Sequence, residues 1–366
     1  MAYPINRHMF DASEAERVAY EIAHGARSAV RGLESQNTFG INIDEASAQA
    51  KHAVFAQDPP EIDDALAYLK RRKATREGLY SPANAGLEVS AAPDSQGEQQ
   101  IGFDKAAWDA AQVAANEAGV VALGEEDEHR GEPGGGAISR GQRLKYLIGN
   151  DLPFAIVDPL DGSNQAAGMG QRSGWASCAM VKYPGSPQLA VAVLLGDGRG
   201  FVAHDDQVWM SESSHPDRTP LFYALNVDRS LSGLSRAHYV IPAAKRSTAE
   251  RAVAIMRSDD SIEYISPLGG NPGILAAMYG ASAPAALQPE AYAWDHMAAL
   301  ILANGGFPVI RATDTEPLSA DDLVELLLTD LAAGRKTETL YMGRSLEAAI
   351  KLRDADRLAR TFAVDS

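Results

Sequence analysis

A single cysteine, Cys178, in 366 residues leaves no internal disulfide possible and is compatible with a reducing compartment. Long apolar runs are also missing: none reaches the length of a membrane span. The first residues, Met-Ala-Tyr-Pro-Ile-Asn-Arg-His, show no basic region followed by an apolar stretch, so the expected location is the cytoplasm. Positive charge is scarce as well. Lys and Arg number 33 against 49 Asp and Glu, a formal net charge of -16, which argues against a nucleic-acid backbone or an anionic membrane as the main partner. An acidic chain can still take an anionic substrate where bound metal ions reverse the local potential. What is present is ordinary for a globular protein, with 45% apolar and 22% charged residues, and the length predicts two lobes or one large layered domain.

The stretch around which the chain is organised reads Phe154-Ala-Ile-Val-Asp158-Pro-Leu-Asp161-Gly-Ser-Asn164. Its apolar start predicts a buried strand that ends at Asp158, before Pro159. Two carboxylates three positions apart follow, with Pro159 stiffening the turn and Gly162 permitting a close approach or a positive φ. At the carboxyl end of a strand, Asp158 and Asp161 can converge on a hard divalent cation. The same residues also make an Asx-rich turn with solvated acids, and the turn by itself leaves both readings open.

Upstream, Val18, Ile22, Ala26 and Val30 recur at helical spacing and predict an amphipathic helix over 12–34. Helical patterns follow over roughly 44–56 and from Asp63 to Arg76, then a loop-like stretch over 93–100. Asp104 precedes another helical run closed near Gly119, where its default role is N-cap. Val120-Val-Ala-Leu-Gly124 reads as a strand ending in Glu125, Glu126 and Asp127, and residues 128–150 read as a flexible connector. After the central stretch, strands are expected at about 175–183, 188–195, 200–204 and 207–210, the last two hairpinned over Asp205-Asp206. Extended segments at 221–227 and 237–241 and then alternating helix and strand complete a layered α/β pattern. Lobes of 1–195, with an insertion at about 35–100, and 196–366 are expected. Trp294-Asp295 opens a nearly all-apolar helix that closes at Gly305-Gly306, with Asp295 a plausible N-cap.

Asp158-Pro-Leu-Asp161-Gly-Ser163 resembles the signature of the inositol monophosphatase and fructose-1,6-bisphosphatase superfamily, magnesium-dependent and often lithium-sensitive phosphomonoesterases. Gly124-Glu125-Glu126 is similar to that family's upstream motif, and Trp294-Asp295 with its Gly-Gly close is similar to its downstream one. Asp104 lies 21 positions before Glu125, and Gly269-Gly270 begins 26 positions before Asp295, much as the family spaces a helix-start acid and a Gly-Ser/Thr turn. Trp108-Asp109 is a decoy, since it precedes the Glu pair and lacks the Gly-Gly close. The resemblance covers about residues 101–350 and implies an αβαβα sandwich of the sugar-phosphatase type.

It further implies a site. Glu125, Asp158 and the Leu160 carbonyl would hold one magnesium ion, and Asp158, Asp161 and Asp295 a second. Asp104 would act through water or a third ion, and Glu126 would support Glu125. Ser163 and Glu125 would orient a metal-activated water for in-line attack, while Gly162, Ser163, Gly269, Gly270 and Gln288 would meet the substrate. Mn2+ is an acceptable substitute on this reading, Li+ and Ca2+ are inhibitors, and a homodimer is the expected assembly. The implied function is hydrolysis of a small phosphorylated metabolite: an inositol phosphate, a sugar phosphate or a 3'-phosphonucleotide. The alternative is a non-catalytic relative that binds such a metabolite as a regulator or assembly partner. Three departures bear on substrate: Gln288 replaces a Glu seven residues before Asp295, Asn164 follows Ser163 at once, and Gly270 stands where a hydroxyl is common. Arg172, Lys182, Lys245 and Arg246 are candidates for a second basic cluster near the pocket, although surface charge is the default reading of each.

Overall fold

A computed structural model describes residues 13–36, 89–93, 99–124, 139–162, 174–184, 189–212, 222–224, 238–241, 246–259, 262, 264–266, 270–280 and 283–364. The helices expected over 44–56 and 63–76 lie outside these residues. Helix α1, Glu14–Gln36, follows the predicted period, and Val18, Ile22, Ala26 and Val30 are all fully buried. Short strands β1 (Val89–Pro93) and β2 (Gln99–Ile101) pair antiparallel, so Pro93, Gln99 and Gln100 belong to strands rather than to the loop expected there.

The larger sheet has seven strands in chain order: β3 (Val121–Gly124), β4 (Phe154–Asp161), β5 (Ala176–Lys182), β6 (Ala190–Leu195), β7 (Arg199–His204), β8 (Gln207–Glu212) and β9 (Phe222–Ala224). Only β3 and β4 run parallel; the rest form an antiparallel meander. The β7–β8 hairpin turns on Asp205 and Asp206, both left-handed at φ 50 and 58, as a two-residue turn of primed type requires. The expected lobe boundary at 195/196 falls inside this sheet, between β6 and β7. The smaller sheet has five strands, ordered β11 (Tyr264–Ser266), β10 (His238–Val240), β12 (Ala285–Gln288), β14 (Leu340–Gly343) and β13 (Val309–Ile310).

Helices α2 (Gly102–Glu117) and α1 pack together on one face of the larger sheet. Helices α5 (Gly270–Tyr279) and α6 (Met297–Asn304) fill the space between the two sheets. Helices α4 (Arg246–Ser258) and α8 (Leu346–Val364) cover the far face of the smaller sheet. The result is the five-layer αβαβα sandwich with three apolar cores. Strand alternation decides which core each side chain joins: Phe154 and Ile156 of β4 enter the middle layer, while Ala155 and Val157 face α1 and α2. Between 139 and 150, where a flexible connector is expected, the chain instead forms helix α3, Arg140–Gly149. Its start is a reciprocal capping box between Ser139 and Gln142, and Gly141, Leu144 and Leu147 make its buried stripe against α7, Ala320–Ala332. The triple glycine masks that signal in the sequence.

Candidate active site

Strand β4 does not end at Asp158. It runs on to Asp161, with an irregular register between the two acids where Asp158 pairs with Cys178 and Asp161 with Ala176. Pro159 has no N–H to give the ladder, so a bulge accommodates it, and its carbonyl accepts the hydroxyl of buried Ser177 at 2.7 Å. The bulge sets the two carboxylates at the strand's end in a way that plain alternation would not. Asp158 is buried, and Gly162 then turns the chain at φ 90. β3 ends alongside, with Gly124 paired to Val157, immediately before Glu125 and Asp158 in their respective segments. Glu125, Glu126, Ser163 and Gly269 lie outside the described residues.

Asp295 arrives from the other side of the middle layer. It sits in a 3-10 turn, Ala293–His296, packed against β4 and β5. Its Oδ2 accepts the N–H of Tyr292 at 3.2 Å, so the carboxylate closes the turn backwards and is not the N-cap of α6. Trp294 is buried, stacked on Tyr292 at 4.9 Å between ring centroids, with the Arg140 guanidinium 4.7 Å over its ring. At its other end α6 closes as expected from Gly305-Gly306: Gly306 is left-handed at φ 70, and Phe307 N–H returns to the Leu302 carbonyl at 2.9 Å.

The third participant, which the motifs do not contain, is Asn271 at the start of α5. Its backbone N–H donates to Asp161 Oδ2 at 2.5 Å, its Nδ2 donates to the Trp294 carbonyl at 3.0 Å, and its Oδ1 accepts the Ala298 N–H at 2.6 Å. It is fully buried. The only local signal was Asn-Pro at a helix start, which predicts a cap but not these distant partners. Burial pushes the pKa of Asp161 up to about 6, against the opposing hydrogen bonds from Asn271. Burial also pushes the Cys178 thiol well above its ordinary value, and the charges of Asp158, Asp161 and Asp295 raise it further.

The remaining candidates fall as follows. Asp104 lies inside the first turn of α2, buried, and not at its N-cap, because the helix begins two residues earlier at Gly102. The decoy separates cleanly: Trp108 packs against Gly124, while Asp109 is a surface partner of Lys105. Gln288 ends β12, buried, with an Oε1 that has no hydrogen-bond partner among the described residues. Lys182 pairs with Phe154 at the opposite end of β4 from the acids, which removes it as a phosphate contact. Arg246 begins α4, and Arg172 and Lys245 lie outside the described residues.

Among the described residues, no three His, Cys, Asp or Glu side chains form a ready-made metal cage. The donor chemistry nevertheless fits a hard dication. The set consists of carboxylate oxygens, those of Asp158 buried and those of Asp161 and Asp295 partly exposed, and among the described residues no Lys or Arg pairs with Asp161.

A scan against protein-family models finds no match, and a search of curated proteins finds none. Solved structures do match. The extragenic suppressor protein suhB of Bartonella henselae is 14% identical, with TM-score 0.42, covering 85% of this chain and 98% of its own. Inositol monophosphatase-II of Staphylococcus aureus is 16% identical, TM-score 0.44, covering 87% and 98%. The fructose-1,6-bisphosphatase of Leishmania major is 11% identical, TM-score 0.48, covering 80% and 94%. Among the described residues, no helix is long and apolar enough to cross a membrane.

Proposed function

We propose that the chain is a magnesium-dependent phosphomonoesterase acting on a small phosphorylated metabolite. The observation that carries this reading is the meeting of two segments more than a hundred residues apart: the end of β4, with Asp158 and Asp161, and the turn of Asp295, which packs on β4 and is tied to Asp161 through Asn271. Carboxylates brought together in this way favour a bound dication, which offsets their mutual charge. Asp158, Asp161, Asp295 and the Leu160 carbonyl would hold the ions, with Glu125 completing the set. Bound there, magnesium supplies charge neutralisation, polarisation of a phosphoryl oxygen and a water acidified toward neutral pH. The chain's own part is orientation. Gly162, at φ 90, keeps the turn free of a side chain so that an anion can approach the backbone. The unpartnered Oε1 of Gln288 is available to a substrate hydroxyl.

Release of phosphate from a panel of inositol, sugar and nucleotide phosphates, with and without Mg2+, tests the reading. Turnover of at least one member is expected, abolished by chelation. A chain that binds Mg2+ but turns over none of them is a metabolite-binding protein instead.

Asp161 adds a pH signature. Its folded pKa of about 6 exceeds the ordinary 3.8, so the folded state holds this proton more tightly than the unfolded chain does. Stability from that source is present below pH ~3.8 and is lost as pH rises through ~6. Melting temperatures measured from pH 4.5 to 7 should therefore show a Mg2+-induced stabilisation that grows across this window as the carboxylate ionises. A stabilisation independent of pH would remove Asp161 from the ligand set.

A further inference from the structure

Asn271 joins the parts of the site that the sequence motifs supply separately. Its backbone reaches Asp161 on β4; its side chain reaches the Trp294 carbonyl, one residue before Asp295, and the first turn of α6 through the Ala298 N–H. Asp158, which faces Cys178 across the ladder, lies three residues before Asp161 on the same strand. The amide can sit only one way round: Trp294 offers an acceptor and Ala298 a donor, so a flip would set like against like at both. Gly270 at φ 71 and Pro272 hold the backbone start of α5, so the amide has a rigid base.

We propose that Asn271 is a positioning residue for the metal-carrying acids, holding Asp161 and the Trp294–Asp295 turn in fixed relation before an ion arrives. The inference rests on the metal-dependent reading above. Asp158 and Asp161 share one strand, so without this tie the turn carrying Asp295 would be free to move relative to them in the metal-free protein, and each ion would have to draw the segments together at the expense of affinity. Residues that orient ligands without touching the ion commonly set metal affinity in this way.

A buried amide also stabilises a fold in general, and Asn304 provides the control. It too is buried, donating to the Leu300 carbonyl at 2.9 Å and accepting the Asp206 N–H at 3.1 Å, but it ties α6 to the β7–β8 hairpin and touches none of the acids. The experiment titrates Mn2+ into the full chain and into Asn271→Leu, Asn271→Ser and Asn304→Leu, reading free Mn2+ by its electron paramagnetic resonance signal, with a thermal melt of each. All three variants should melt earlier. Only the two at 271 should lose Mn2+ affinity, by about 10- to 100-fold; the smaller Asn271→Ser keeps the test alive if the leucine does not fold. A folded Asn271 variant that binds Mn2+ within about twofold of the parent overturns the proposal and leaves the metal site standing. An equal loss of affinity in Asn304→Leu also overturns it, because general loosening would then be the cause. Absence of Mn2+ binding by the parent chain fails the metal-dependent reading itself, and the inference with it.

Discussion

Asp158→Asn should abolish phosphate release, by on the order of 10³-fold or more, since metal polarisation and charge neutralisation together are worth several kcal/mol in such reactions. Asp158 is the acid the two implied ion positions share, and it sits in the ladder opposite Cys178 inside the larger sheet. Asparagine has nearly the same shape, so the strand and its pairing should persist. The second readout is stability. An ion that binds only the folded chain stabilises it by about 2.7 kcal/mol at a hundred times its dissociation constant. The parent should show that gain with Mg2+, and Asp158→Asn should not. Loss of activity with an unchanged Mg2+-induced shift would place Asp158 outside the ligand set. Retention of both would remove the proposed chemistry from this end of β4.

The layered architecture is legible because strand and helix periods are physical signals that need only neighbours a few residues apart. The β4 run, the Asp205-Asp206 hairpin and the Val18-to-Val30 stripe all appear where their patterns place them. Cross-segment geometry is a different matter. Pro159 reads as a strand terminator, yet β5 supplies partners on both sides of it and a hydroxyl from Ser177, so the strand bulges and continues. Asp104 and Asp295 read as N-caps, because that is the commonest use of an aspartate before a helical run. Each lies a residue or more inside a turn whose start is set by tertiary packing. Asn271 is the clearest case. Its partners are 110, 23 and 27 residues away, and no local pattern can announce them. The motifs locate the acids, whereas the residue that spaces them is visible only after folding.

Gly270→Ala should damage both stability and activity, although it adds a single methyl group and alters no proposed ligand. Gly270 has φ 71, where an L side chain costs about 1–2 kcal/mol. A Cβ there would also lie 2.8 Å from Asp161 Oδ2 and 2.9 Å from its Cγ, closer than such atoms approach. Overpacking adds about 1–3 kcal/mol, so a total loss of roughly 2–5 kcal/mol is expected by denaturant unfolding. Gly334 supplies the comparison. It has φ 69 but nothing within 4 Å of a built Cβ, so Gly334→Ala should cost the backbone part alone, about 1–2 kcal/mol. The excess at 270 measures the collision with Asp161. Relief of that collision must move either the carboxylate or the start of α5 that bonds it, and a misplacement of about 1 Å near reacting groups can lower turnover by on the order of 10²-fold. Activity in the surviving folded fraction of Gly270→Ala should fall accordingly while Gly334→Ala stays near the parent. Equal effects at the two glycines would mean that Asp161 yields freely and that its position is not fixed by α5.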